Sequence, residues 1–417
     1  MIIMSNVKGL SLKKNFSWNL IGSLVYAFSQ WIVLVLIAKL GNPEMVGIYS
    51  LGLAITAPIM MLTNLQLRAV QATDTTNEYS INEYYGLRIV TSFLSIVFSL
   101  IVIFINGYSI YKSFVIFLIL ISKVLDSYSD ILYGYLQQRE RMDYIGKSRI
   151  IKGIVTFLVM WIALLTTNDL ITSLIILNGS WLLIFIVYDR KSVKLFIENI
   201  TPKFNITTQK KLAIFALPLG IVVMLGSLNT NIPRIIIEEY LGEVKLGYFA
   251  AIAYLMVTGG ILVNSLGQAV APRLAMLFNN NMHRELKSLL FRVVLAGLSI
   301  GIMGTFGSIF FGEIVLKIIY DNSYSNYNDI FILVMIAAIF DYSGSFLGYG
   351  LTAMRIFKVQ PYLGSIGVLS SLIFALILIP LIELRGAAYT MILVSVIQFT
   401  LKLLVLLATL KKHRLSN

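Results

Sequence analysis

Long apolar stretches separated by short polar connections dominate this chain. A transmembrane α-helix needs about 20 mostly apolar residues, and on that criterion the pattern predicts twelve spans. The predicted spans are residues 16–39, 45–67, 87–106, 113–136, 150–166, 170–188, 212–233, 246–270, 290–311, 328–351, 361–381 and 386–409. The pattern therefore indicates an all-α polytopic membrane protein with twelve transmembrane helices.

Composition supports the same fold class. The 417 residues are 58% hydrophobic and only 13% charged, with a mean hydropathy of +0.85. An average soluble domain has about 45–50% apolar and about 25% charged residues. A soluble fold could not cover so much apolar surface with so few charges, so the composition excludes a soluble enzyme, a disordered protein and a fibrous protein.

The distribution of basic residues predicts the orientation in the membrane. Cytoplasmic connections are enriched in Lys and Arg. With the N-terminus inside, the inside segments hold 25 of the 33 basic residues and the outside connections hold six. We therefore expect a multi-pass protein with both termini in the cytoplasm.

The longest predicted inside connection, residues 189–211, falls at mid-chain. It divides the chain into an N-terminal bundle of six helices, residues 1–188, and a C-terminal bundle of six, residues 212–417. A weak similarity relates the halves: Asn64 recurs 200 residues later as Asn264. Each copy starts on the same side, so the repeat is parallel. Transporters commonly use such repeats, with the substrate site between the two halves.

Polar side chains form a stripe along the fourth predicted span. At helical spacing the span carries Ser122, Asp126, Ser129, Asp130, Tyr133 and Gln137. Lys123 lies one turn from Asp126, so one interpretation is a local ion pair with packing contacts. One lysine can neutralise only one of the two aspartates, so one carboxylate stays without a local counter-charge. Ionisable residues within spans usually face a protein interior or a watery cavity. We expect Lys123, Asp126 and Asp130 to line a cavity and contact the substrate.

Three other spans repeat this pattern. The first carries Asn19, Ser23, Tyr26 and Gln30, the tenth carries Asp341, Ser345, Tyr349 and Thr352, and the eighth carries Thr258, Ser265 and Gln268. Each stripe alone also fits interhelical hydrogen bonding, which is common in membranes and modest in energy. Together, stripes in both halves favour a hydrated central cleft, with Asn19, Gln30 and Asp341 as candidate substrate-binding residues.

Two arginines end predicted spans. Arg68 follows the second span and Arg234 follows the seventh. Arginine binds phosphate with two parallel hydrogen bonds, so both are candidate substrate-binding residues. The alternative for each is an anchor at the membrane interface.

Several kinds of chemistry are not expected. The chain has no cysteine and two isolated histidines, His283 and His413, which argues against disulfides, thiolate chemistry and a metal site. It has no nucleotide-binding loop of the Walker type, and no basic stripe interleaved with aromatic residues for nucleic acid. We expect no cofactor, no metal and no catalytic residue.

The residues described above resemble a known family. The segment Lys123–Arg149, KVLDSYSDILYGYLQQRERMDYIGKSR, and the segment Asn64–Arg68, NLQLR, are similar to bacterial polysaccharide flippases. These are the O-antigen and capsule repeat-unit translocases of the multidrug/oligosaccharidyl-lipid/polysaccharide exporter superfamily. The similarity in helix number, topology and repeat extends over nearly the whole chain.

The resemblance implies a fold and a function. The fold would be two pseudo-symmetric six-helix bundles around a central cavity, as in the multidrug exporters of this superfamily. The function would be alternating-access transfer of polyprenyl-pyrophosphate-linked oligosaccharide from the cytoplasmic to the periplasmic leaflet, for assembly of O-antigen, capsule or exopolysaccharide. Expected partners are this lipid-linked oligosaccharide, membrane lipids, and the polysaccharide polymerase and chain-length machinery. The protein would not be an enzyme.

Three alternatives stay open. A multidrug or cation antiporter of the same fold would need an acidic cavity, with which Asp126, Asp130 and Asp341 are compatible. A flippase of the lipid-linked peptidoglycan precursor is a near relative. A polytopic polysaccharide polymerase or glycosyltransferase belongs to a different class, and such enzymes usually have a long outside loop that this sequence lacks.

The predicted topology can be tested with reporter tags. Tags inserted at residue 200 and at the C-terminus are expected to report the cytoplasm, and tags near residues 107 and 323 the periplasm, because of the distribution of basic residues. The measurement is paired alkaline phosphatase and green fluorescent protein activity. A periplasmic signal from residue 200 would contradict both the helix count and the division into two halves.

Overall fold

The structure, a computed structural model, describes residues 9–74 and 76–415. Every regular element in this part of the chain is helical. The helices are α1 (Leu12–Leu40), α2 (Pro43–Thr63), α3 (Leu67–Thr73), α4 (Ile81–Asn106), α5 (Ile110–Gln138), α6 (Met142–Thr167), α7 (Leu170–Ile184), a π-helical turn (Phe185–Asp189), α8 (Arg190–Lys194), α9 (Ile206–Asn279), α10 (His283–Ile319), α11 (Asn322–Ser325), α12 (Asn328–Ala353) and α13 (Gln360–Leu415).

Within the described residues, nine helical segments are long and apolar enough to cross a membrane. Two of them contain non-helical residues: α9 at Gly242, and α13 at Ile382 and Glu383. Gly242 has a φ of +80°, which glycine adopts without the strain that a side chain would add. Helix α5, which carries the charged stripe, is not one of the nine. The count of twelve spans stays a prediction.

The helices form two compact units, Met1–Ser227 and Leu228–Asn417. In the N-terminal unit, α1 packs against α6, and α5 contacts α2, α3, α4, α6 and α7. In the C-terminal unit, α12 packs against both α10 and α13. The predicted bundle limits at residues 188 and 212 stay a prediction.

Part of the predicted mid-chain connection, residues 189–211, packs into the N-terminal unit. Val193 and Ile200 are 0% and 5% exposed and lie in an apolar cluster with Leu132 and Ile145. The backbone N–H of Lys203 donates to the backbone carbonyl of residue 82, with an N–O distance of 2.9 Å. These contacts attach the segment after α7 to the ends of α4, α5 and α6.

The turn between α3 and α4 is organised by Asp74. Its carboxylate accepts hydrogen bonds from the backbone N–H groups of Glu78 and Tyr79, at 3.0 and 3.1 Å. Slight burial alone would raise the pKa of Asp74, but these N–H donors favour the ionised form and hold the pKa below its usual range. Beyond the turn, Ser80 and Glu83 form a capping box that begins α4.

Helices α1 and α6 cross closely through small residues. A Cβ atom at Gly22 would lie 2.6 Å from the Cα of Gly146, and a Cβ at Gly146 would collide with the carbonyl oxygen of Trp18. Small residues let two membrane helices approach until their backbones touch. This crossing brings α6 against the polar stripe of α1.

Because α1 and α6 cross so closely, we expect one added methyl group to lower the stability of the protein strongly. Gly146→Ala is expected to lower the free energy of unfolding by about 1–3 kcal/mol, because the backbones must separate to admit it. Gly179→Ala in α7 is the matched control, since nothing lies within 4 Å of its added Cβ. The measurement is the thermal unfolding midpoint of the purified protein in detergent. Equal midpoints for the two variants would contradict this packing.

Candidate functional site

A break between α2 and α3 places Arg68 against α5. Leu65 and Gln66 both have left-handed backbones, with φ of 52° and 50°, which is a strained conformation for a bulky residue such as leucine. Burial of Leu65 and Leu67 in one apolar cluster, at 6% and 0% exposure, holds the break in place. The chain therefore turns at the end of α2, and Arg68 projects from the first turn of α3.

Arg68 contacts the polar stripe of α5 at three points. Its Nη1 is 3.2 Å from Oδ1 of Asp130 and its Nε donates to Oε1 of Gln137 at 3.1 Å. Its guanidinium carbon lies 5.6 Å from the ring centre of Tyr133. The guanidinium is thus held in one orientation, and it keeps further N–H groups for another ligand.

Around this pair lies a cavity of about 470 Å³, here called the α5 pocket. Its lining is Ala57, Met60, Met61, Asn64, Gln66, Arg68, Ala69, Lys123, Asp126, Ser127, Asp130 and Gln137. The volume is within the range of small-molecule sites, about 300–1,000 Å³. Four of the predicted site residues therefore meet here: Arg68, Lys123, Asp126 and Asp130. The two cations balance the two carboxylates.

Behind the α5 pocket lies a buried lysine that the sequence reasoning missed. Nζ of Lys152 is 3.2 Å from Oδ1 of Asp126, 2.8 Å from Oγ of Ser129 and 3.6 Å from Oδ2 of Asp189. The side chains of Lys152 and Asp189 are 1% and 0% exposed, whereas that of Asp126 is 34% exposed. The cation in ion-pair contact with Asp126 therefore comes from α6, in addition to Lys123 one turn away on α5.

Asp189 is positioned by the π-helical turn after α7. Its Oδ2 accepts from Oγ of Ser129 at 2.6 Å, and its Oδ1 accepts from Ser148. The hydroxyl of Ser148 also pairs with that of Tyr133 at 2.6 Å. Short π-helical turns often occur at functional sites because they redirect one side chain. Here the turn directs a carboxylate to the buried lysine.

The stripe of α1 meets this network in part. The hydroxyl of Tyr26 donates to Oδ2 of Asp126 at 3.3 Å, and Nη1 of Arg149 donates to Ser23 at 2.6 Å. The two α1 residues predicted to bind substrate do not line the α5 pocket. Gln30 lines a separate, very small cavity, and the Oδ1 of Asn19 is buried without a hydrogen-bond partner among the described residues.

The other two predicted residues share a cavity in the C-terminal unit. Arg234 and Asp341 both line a pocket of about 350 Å³, as does Asn264. Nη1 of Arg234 lies 3.3 Å from Oδ1 of Asn231, and Lys402 is the cation that acts on Asp341 electrostatically. Arg234, predicted in an outside connection, lies inside α9 instead.

Arg88 is a second buried cation that the sequence analysis did not single out. Lys152 and Arg88 were both counted among the 25 basic residues of the inside segments, although they fall within the predicted spans 150–166 and 87–106. Both are 1% exposed and lie inside α6 and α4. The spacing of the polar residues on the same helices would have indicated that both cations lie on a buried polar face. Lys152 shares a buried polar face with Ser148 and Thr156, and Arg88 begins a buried series at Ser92, Ser95 and Ser99. In the described residues, no group of three or more His, Cys, Asp or Glu could hold a metal ion.

Comparison with solved structures identifies the class of fold. The chain resembles the lipid II flippase MurJ in an inward closed conformation, with a TM-score of 0.74 and 16% identity over 92% of this chain and 86% of that one. It also resembles an inward-facing multidrug resistance MATE family transporter of the MOP superfamily, with a TM-score of 0.66 and 11% identity over 97% and 96%. The predicted all-α fold, which these membrane proteins share, is confirmed.

Comparison of sequences identifies the family. Residues 12–278 match the family described as polysaccharide biosynthesis protein. The capsular polysaccharide biosynthesis protein CapF of Staphylococcus aureus is 31% identical over 383 residues, 90% of this chain and 94% of CapF. The chain belongs to the polysaccharide biosynthesis protein family, and the predicted resemblance is confirmed.

Removal of the buried lysine charge is expected to destabilise the N-terminal unit. Lys152→Met leaves Asp126 and Asp189 without their shared cation, so the free energy of unfolding should fall by about 3–5 kcal/mol. Adding Asp189→Asn should restore part of this loss, because one uncompensated charge is removed. The measurement is thermal unfolding in detergent.

The matched control for this prediction is Lys147→Met, on the same helix but exposed. Its unfolding midpoint should stay close to that of wild type. A Lys152→Met midpoint equal to that of the control would show that the buried network contributes nothing to stability.

Proposed function

We propose that this protein moves a lipid-linked oligosaccharide across the membrane, from the cytoplasmic leaflet to the outer leaflet. Its membership of the polysaccharide biosynthesis protein family supports a role in that pathway, and its similarity to CapF supports a capsular repeat unit as the cargo. Its structural similarity to the lipid II flippase MurJ supports flipping as the step performed.

The observation that carries this proposal is the α5 pocket. It holds Arg68 beside Asp130 on helices of a membrane protein, with a second acid, Asp126, neutralised from behind by Lys152. A pyrophosphate headgroup is very costly to place in hydrocarbon. A polar cavity with an available guanidinium lowers that cost, because arginine forms paired hydrogen bonds with phosphate oxygens.

Each residue then has a distinct role. Arg68 binds a phosphate oxygen, while Gln137 and the ring of Tyr133 hold its guanidinium in place. Lys123, on the wall of the same pocket, adds a second cation. The polyprenyl chain stays in the bilayer while the headgroup and sugars occupy polar surface, and the pocket opens to the two leaflets in turn.

The wider setting follows from the same proposal. The carrier lipid is a polyprenyl pyrophosphate, and the product feeds the polymerase and chain-length machinery of capsule, O-antigen or exopolysaccharide assembly. We place the protein in the bacterial inner membrane with both termini in the cytoplasm, because basic residues are concentrated in the predicted inside connections.

A cation antiporter is the principal competing function, since MATE transporters share the fold. The α5 pocket argues against it. Asp130 is paired with Arg68 and Asp126 with Lys152, so the pocket offers no excess of acid to a cationic drug. Loss of drug resistance without loss of surface polysaccharide on deletion of the gene would favour the antiporter.

Substitution of Arg68 tests the proposed phosphate contact. Arg68→Ala is expected to reduce surface polysaccharide about tenfold or more and to make lipid-linked repeat units accumulate inside, because the charged hydrogen bonds to phosphate are lost. Arg68→Lys keeps the charge without the planar fork, so it should retain intermediate export.

Arg139→Ala is the matched control, because Arg139 is exposed at the end of α5 and does not line the pocket. The measurements are immunoblots of surface polysaccharide and extraction of lipid-linked oligosaccharide, at equal protein levels. Full export by the Arg68→Ala variant would contradict the phosphate contact and show that Arg68 is only an anchor at the membrane interface.

A further inference from the structure

Arg88 is a buried arginine with only part of its hydrogen-bonding capacity satisfied. Its side chain is 1% exposed, about two turns after the start of α4. Nη1 donates to Oδ1 of Asn64, whereas Nε and Nη2 have no partner among the described residues. A buried cation in this condition is costly, and an unsatisfied buried donor in a native structure calls for an explanation, of which a functional role is one.

The acid available to Arg88 is Asp130. Asp130 is the carboxylate that acts electrostatically on Arg88. Helices α4 and α5 touch at this level, because Ser92 and Ser127 approach to 3.5 Å between their hydroxyl oxygens. Ser92 is one helical turn from Arg88, and Ser127 is less than one turn from Asp130. The Asp130 side chain is 35% exposed, so packing does not enclose it.

In the present structure Asp130 pairs with the other arginine, Arg68, at 3.2 Å. The proposed function requires Arg68 to bind a phosphate. A carboxylate left beside the bound phosphate would repel it, because like charges in a partly dehydrated cavity disfavour each other. Transfer of the carboxylate to Arg88 removes the repulsion and compensates the buried guanidinium at the same time.

We propose that Arg88 is a positioning residue that receives Asp130 when a diphosphate binds to Arg68. In the empty pocket Asp130 neutralises Arg68, and in the loaded pocket it pairs with Arg88. Release of the diphosphate returns it to Arg68. Both arginines therefore have a counter-charge in the loaded state, whereas in the empty state Arg88 keeps only its hydrogen bond to Asn64 among the described residues. This inference rests on the proposed function of Arg68 as the phosphate ligand.

A double-mutant cycle tests the exchange, with inorganic pyrophosphate as the probe and isothermal titration calorimetry on the purified full chain as the measurement. Arg88→Gln is expected to weaken pyrophosphate binding about tenfold, because Asp130 then stays on Arg68 and competes with the ligand. Asp130→Asn should bind at least as tightly as wild type. The double variant should bind like Asp130→Asn alone, since Arg88 acts only through Asp130.

A structural role for Arg88 gives the opposite pattern. If Arg88 only supports the fold, its substitution weakens binding equally with and without Asp130→Asn, and that result overturns the proposal. An Arg88→Gln variant that binds like wild type also overturns it. Lys211→Gln, at an exposed position outside the pocket, is the control and should bind like wild type.

A second variant keeps the test decisive if Arg88→Gln does not fold. Arg88→Lys retains the buried charge, so its loss of affinity should be smaller than tenfold and should again vanish with Asp130→Asn. Arg68→Ala separates this inference from the proposed function. Binding that depends on Arg68 but shows no coupling of Arg88 to Asp130 overturns only the exchange. Wild-type protein that does not bind pyrophosphate overturns the exchange and the phosphate site together.

Discussion

An ionised side chain inside a membrane-spanning helix needs a counter-charge or water, and the N-terminal unit is built around this constraint. Lys152 of α6 is sealed from solvent and lies between carboxylates from α5 and from the turn after α7. Arg68 of α3 pairs with a third carboxylate, on α5. These pairs link four parts of the chain, α3, α5, α6 and the turn after α7, so the positions of the helices and of the charges depend on each other.

The same pairs determine what the α5 pocket can hold. Asp126 and Asp130 each face a cation, so a polar cavity exists in the membrane without an excess of negative charge. A cavity of this kind suits a headgroup that carries phosphate and sugar hydroxyls better than it suits a cationic drug. Because Arg68 reaches Asp130 and Gln137 at once, its orientation is set before a ligand arrives, and preorganised groups bind at a lower entropic cost.

The fold class and one wall of the pocket could be predicted from the sequence, because apolar stretches and the α5 stripe are local patterns. Which cation pairs with which acid could not, since Asp126 has Lys123 near it in sequence but Lys152 near it in space. Lys152 and Arg88 were missed because a charge count assigns basic residues near the end of a span to the cytoplasm. Both residues fall within the predicted spans 87–106 and 150–166, and both helices begin about two turns before those spans, so the two cations lie well inside their helices rather than at the ends.

The most direct test of the account is translocation by the purified chain. Full-length protein is reconstituted into liposomes that carry lipid-linked oligosaccharide, and the fraction of glycan shielded from membrane-impermeant periodate is followed over time. Wild type is expected to make the shielded glycan accessible, and Arg68→Ala to do so much more slowly. Equal accessibility in liposomes with and without the protein would contradict the claim that this chain moves the lipid-linked glycan through a charge-compensated pocket.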